Sequence, residues 1–104
     1  MKNDIISLLN GKTICGSRKE YYCSHADDTA IIFSPTPDTK KIMIPTDLAM
    51  EWIQSYNFGL INLKMKSREM RDIVQKHSVW SKFQHGFGSQ MYAIVKTWAD
   101  SQNR

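Results

Sequence analysis

The hydrophobic pattern of this chain changes period at Thr46, and no other feature limits the possible folds as tightly. Before that point, Lys12 to Cys15, Glu20 to Ser24, Thr29 to Ser34 and Lys40 to Ile44 are short runs rich in Ile, Tyr, Thr, Phe and Cys. These β-branched and aromatic types suit a pleated, half-buried surface. The runs are separated by Gly16-Ser17-Arg18, His25-Ala26-Asp27-Asp28 and Pro35-Thr36-Pro37-Asp38, which are turn-forming combinations. Connections of about 2 to 6 residues cannot hold a crossover helix, so neighbouring runs should pair antiparallel as a meander. The amino terminus allows two readings: a short helix capped by Asn3 and ended at Gly11, or a first strand from Asp4 to Leu9.

After Thr46 the apolar residues recur at helical spacing. Leu48, Ala49, Trp52, Ile53 and Tyr56 share one face, Thr46 is placed to accept a hydrogen bond from the first turn, and Asp47 and Glu51 favour its positive end. Gly59 suits the left-handed residue that ends such a helix. Leu60 to Met65 alternates Ile61, Leu63 and Met65 against Asn62, Lys64 and Lys66, which predicts a short half-buried strand with a basic outer side. Ser67 then starts a helix to about His77, with Met70, Ile73, Val74 and His77 inward and Arg68, Arg71, Asp72 and Gln75 outward. Ser89 caps a last helix carrying Met91, Ile94, Val95 and Trp98, widened by Tyr92 and Ala99, with a frayed tail from Ser101.

The expected fold is therefore a single α+β domain spanning residues 1–104. An antiparallel sheet of three to five short strands, mostly within residues 12–65, is covered by about three helices near 46–58, 67–77 and 89–101. A chain of 104 residues with 41% hydrophobic and 23% charged residues supplies one core, which should remove roughly two thirds of the unfolded chain's surface from water. The amino terminus offers only Ile5, Ile6, Leu8 and Leu9, interrupted by Ser7, and the longest apolar run is Met91 to Val95. A secretory leader needs about 7 to 15 apolar residues and a membrane-spanning helix about 20, so a soluble cytoplasmic protein without a membrane partner is expected. There, Cys15 and Cys23 should remain thiols buried like small hydrophobes. A disulfide across a tight turn is the competing arrangement, and a zinc site from Cys15, Cys23 and His25 lacks the paired short spacings and the fourth ligand that zinc takes. No metal and no cofactor is expected.

Charge is distributed less evenly than hydrophobicity. Between Lys64 and His85, the bases Lys64, Lys66, Arg68, Arg71, Lys76 and Lys82 face only Glu69 and Asp72, a surplus of four in 22 residues, and the whole chain also nets +4. Pooled charge makes a local field that attracts anions, where scattered charge only keeps a protein in solution. Lys64 and Lys66 on a strand edge beside Arg68 and Arg71 on a helix face would form a phosphate track, to which Trp80 or Phe83 would add base stacking. The bland alternative is a solvated basic face with both aromatics in the core. A helix-turn-helix does not fit. The segment His77-Ser78-Val79-Trp80 lacks the usual glycine-containing turn, and no polar recognition face follows before Gly86.

The stretch His85-Gly86-Phe87-Gly88-Ser89 places two glycines before a helix, where free amides near Gly88 would cradle an anion. It matches neither the P-loop nor the dinucleotide fingerprint, and a tight connection plugged by Phe87 is the simpler explanation. His25, His77 and His85 are the residues of a type suited to general acid–base work. Of these, only His85 adjoins both the basic window and the glycines, which makes it the one candidate acid or base for a metal-independent ribonuclease of toxin type. Finally, Tyr21, Tyr22, Trp52, Tyr56, Trp80 and Trp98 with six methionines would line an apolar cleft for a small ligand or a homodimer interface, unless they fill the core. No motif specifies a reaction. The leading expectation is a non-enzymatic module for an anionic partner, nucleic acid first, engaged through Lys64, Lys66, Arg68, Arg71, Lys82 and Gly88.

Overall fold

Strands of four to seven residues joined by tight turns build the first half of the molecule. The computed structural model describes residues 2–16, 19–36, 38–66, 68, 69, 72 and 88–103. Strands β1 (Lys12–Cys15), β2 (Glu20–Ala26), β3 (Ala30–Ser34) and β4 (Ile42–Pro45) form one sheet in the order β1-β2-β3-β4, every pair antiparallel. This is the meander that the short connections require. Ile14, Tyr21, Cys23, Ile31, Phe33 and Ile44 alternate onto one face and are buried. A bulge between Cys23 and His25 adds one residue to β2, so Ser24 and His25 are both exposed and Ala26 returns to the buried face.

Among the described residues, three helices cover that face. In α1 (Lys2–Leu9), Ile5 and Leu9 lie one turn apart and are fully buried, which decides the amino terminus as a helix rather than a strand. Gly11, at φ +71°, turns the chain into β1. Helix α2 (Thr46–Asn57) buries Leu48, Ala49, Trp52 and Ile53, and α3 (Gly88–Gln102) buries Met91, Ile94, Val95 and Trp98. Helix α1 packs on β1 and β2, α2 on β4, and α3 on β1 and on both other helices. Each large side chain sealed between sheet and helices contributes roughly 1.5–3 kcal/mol of transfer free energy, and Tyr21, Phe33 and Trp52 are the largest. Tyr21 and Phe33 meet edge to face with centroids 6.3 Å apart.

Polar contacts fix how the elements join. The Asn10 side-chain amide donates to the Ala26 carbonyl at 3.0 Å and its oxygen accepts the Ala26 N–H at 2.6 Å, so it pairs with the end of β2 as a backbone would. Helix α2 ends in a Schellman motif. The Gly59 N–H donates to the Tyr56 carbonyl at 3.0 Å, the Leu60 N–H to the Ser55 carbonyl at 2.8 Å, and Gly59 has φ +76°. Gly16 lies so close to its neighbours that a Cβ there would sit 2.7 Å from Tyr21 Cε2 and 3.0 Å from the carbonyl oxygens of Lys19 and Ser89.

Several expectations are corrected. Thr46 does not cap its helix by accepting a hydrogen bond; Pro45 occupies the N-cap position, and the Thr46 hydroxyl donates to the Asp27 carbonyl at 2.6 Å, tying α2 to the β2–β3 turn. Leu60 to Met65 is not a strand. Its alternation survives as burial, with Ile61 buried, Leu63 and Met65 half-buried and Asn62, Lys64 and Lys66 exposed, but the Met65 N–H donates to the Asn62 carbonyl and the Lys64 N–H to Asn62 Oδ1. The backbone groups are met within a turn, so no sheet edge is required. Ser101 and Gln102 remain helical, with the Asn103 N–H donating to the Ala99 carbonyl. Cys15 is exposed rather than buried. It stands three positions from Lys12, the partner of Cys23 across β1 and β2, on the opposite face of the sheet, and both cysteines are free thiols. Of the helix expected over 67–77, Arg68, Glu69 and Asp72 are helical; its other residues lie outside the described ones.

Candidate functional site

The segment leaving α2 determines where the described cations sit. After the Schellman motif, the Ile61 N–H also bonds to the Ser55 carbonyl at 3.3 Å, and Ile61 enters the core while Leu63 and Met65 pack against it. With every second residue anchored, Lys64 and Lys66 project outward, and Arg68 follows, also exposed. Among the described residues none of the three has a side-chain hydrogen bond or ion pair. By contrast, Lys2 is held by Asp47 at 3.3 Å and Lys96 by Asp100 at 2.8 Å. Hydrogen bonding to Asp100, and then its charge, raises the pKa of Lys96. Glu69 and Asp72 are exposed in the same stretch as the three free cations.

The remaining sequence candidates fall into two groups. Arg71, Lys76, His77, Trp80, Lys82, Phe83 and His85 lie outside the described residues. Gly88 is the first residue of α3, and Ser89 beside it forms a side-chain hydrogen bond with Tyr21, whose pKa is raised by burial. The start of α3 is thus packed onto the turn between β1 and β2 at Gly16.

An exposed apolar feature precedes the cations along the chain, and the sequence reading did not single it out. Phe58 is 76% exposed and Leu60 38%. With Glu51, Gln54 and Ser55 they line an open groove of about 250 Å³ along the end of α2. The available signal was Phe58 falling off the inward spacing of residues 48, 49, 52, 53 and 56. The aromatic residues proposed for an apolar cleft behave differently. Tyr21, Trp52 and Trp98 belong to the core, as does Met91, while Tyr22 is half-buried on the opposite face of the sheet. A second groove, about 160 Å³, runs between β1 and α3 past Thr13, Cys15, Lys96 and Asp100.

His25 belongs to a structural cluster. Its Nε2–H donates to Asp27 Oδ2 at 2.8 Å, while Asp27 Oδ1 accepts from the Thr29 hydroxyl and from the amides of Thr29 and Ala30. These bonds, led by the Thr29 hydroxyl and then His25, hold the Asp27 carboxyl far below the usual carboxylate range. Burial pushes the Cys23 thiol up to about 11, so it is a packed, unreactive group rather than a nucleophile. Among the described residues no three His, Cys, Asp or Glu side chains converge as a metal site would need, and no helix is long and apolar enough to cross a membrane. Comparison of the chain with protein-family models, with curated proteins and with solved structures gives no significant match.

Proposed function

We propose that this protein is a non-enzymatic module that binds nucleic acid through the segment containing Lys64, Lys66 and Arg68, continued in the sequence by Arg71 and Lys82. One observation carries the reading: three described cations, exposed and unpaired, fall within the five residues 64–68, a denser group than the exposed pair Lys40 and Lys41, whereas Lys2 and Lys96 each hold a carboxylate. An unpaired cation presents its full charge to a phosphate without first giving up a partner. Neutralising phosphates releases condensed counterions, which favours binding whatever the base sequence. The inward alternation of Ile61, buried, with Leu63 and Met65, half-buried, supports the reading further, because it holds Lys64 and Lys66 outward from one anchored turn.

The test is fluorescence anisotropy with labelled oligonucleotides at low ionic strength. Replacing Lys64, Lys66 and Arg68 together by Ala should weaken binding on the order of tenfold for every sequence tried. Lys40 and Lys41, exposed residues outside the segment, provide the control of similar charge, and their replacement by Ala should leave binding near the original. Equal losses in both variants, or no loss in the first, would remove the assignment to this segment.

A further inference from the structure

Phe58 is an aromatic ring more than three-quarters exposed on a protein that buries Tyr21, Phe33 and Trp52 almost completely. Exposing it forgoes transfer free energy that a polar residue at the same position would not lose. It is also held in place. Its N–H donates to the Gln54 carbonyl at 2.9 Å, and the Schellman motif at Gly59 and Leu60 fixes the chain directly after it. The ring therefore stands on a rigid helix end, beside a groove of about 250 Å³ lined by Glu51, Gln54, Ser55 and Leu60.

Resting on the nucleic-acid reading above, we infer that the ligand is single-stranded, with one unpaired base stacked on Phe58 and the following phosphates held by Lys64, Lys66 and Arg68. Sheltered binding of single strands combines aromatic platforms for bases with cations for the backbone, and the two components occur here on one continuous segment. The chain cannot carry the Lys64 Cα farther than about 22 Å from that of Phe58, and the Schellman motif at Gly59 and the turn at Asn62 shorten that distance. The reach is that of a few nucleotides. Glu51 sets the polarity of the arrangement: its carboxylate repels phosphate, so the groove takes the base and leaves the backbone to the basic side. A duplex offers no such base, because its faces are stacked on one another.

The experiment compares a short single-stranded oligonucleotide of mixed sequence with the duplex of the same sequence, using the full chain. Phe58→Ala should weaken single-strand binding by about tenfold and leave duplex binding unchanged, and Phe58→Trp should restore the single-strand affinity. Phe58 contributes little to the core, so circular dichroism and the unfolding midpoint should not move. Unchanged single-strand affinity in Phe58→Ala, or equal losses for both ligands, would overturn the inference while leaving the basic segment as a nucleic-acid site. Failure of the unaltered protein to bind either ligand would remove that underlying reading, and this inference with it.

Discussion

Asp27 shows how much structure one side chain can organise. Its carboxylate closes the β2–β3 turn through Thr29 and Ala30 and holds His25, while its backbone carbonyl accepts the Thr46 hydroxyl at the start of α2. The turn is thereby joined to both the bulged end of β2 and the first helical turn of α2. Because its folded pKa is depressed, the proton prefers the unfolded chain. The stabilisation is present above the unfolded value of about 3.9 and is lost as pH falls below it. Urea midpoints measured between neutral pH and about pH 2 should therefore drop in the acid range, and the Asp27→Asn variant, already uncharged, should show a flatter acid limb. Parallel acid limbs in the two proteins would mean that other carboxylates govern acid unfolding.

The ends of elements define this fold as strongly as their interiors do. Gly59 is needed for its positive φ, whereas Gly16 is needed because three neighbours crowd the position of its absent Cβ. The two glycines should respond differently to substitution. Gly59→Ala should cost about 1 kcal/mol and Gly59→Asn less, since Asn tolerates the left-handed region. Gly16→Ala should cost roughly 1–3 kcal/mol by forcing Tyr21 or the backbone at Ser89 to move, and Asn should do worse there. Denaturant midpoints of the four variants check this; relief by Asn at both positions would contradict it. Element type was legible wherever period and turn chemistry agreed: Lys12 to Cys15 is a strand as read, and Glu20 to Ser24 lies within β2. Leu60 to Met65 misled because alternation reports burial, not pairing, and the Schellman motif and the Asn62 turn satisfy the backbone instead. The hydroxyl of Thr46 was misread for a related reason. Its acceptor, the Asp27 carbonyl, is 19 residues away in the sequence, and no local pattern encodes such a contact.

At the scale of the molecule, the described elements are a sheet covered on one face by three helices, with a basic segment that begins where α2 ends. The concentration of cations was legible in the sequence because charge can simply be counted along the chain. Which of those cations are free was not, since Lys2 and Lys96 look no different from Lys64 until Asp47 and Asp100 are seen beside them. Phe58 was legible only in part: it falls off the inward spacing of α2, but its exposure also depends on how Gly59 redirects the chain. The central claim is that Lys64, Lys66 and Arg68 act together by neutralising phosphates. The most direct measurement is the slope of log binding constant against log salt concentration, for the unaltered protein and for the variant with all three replaced by Ala. The slope should become shallower by about 2 for a single strand, or about 3 for a duplex. Coincident slopes, with the variant merely offset in affinity or not offset at all, would contradict the account.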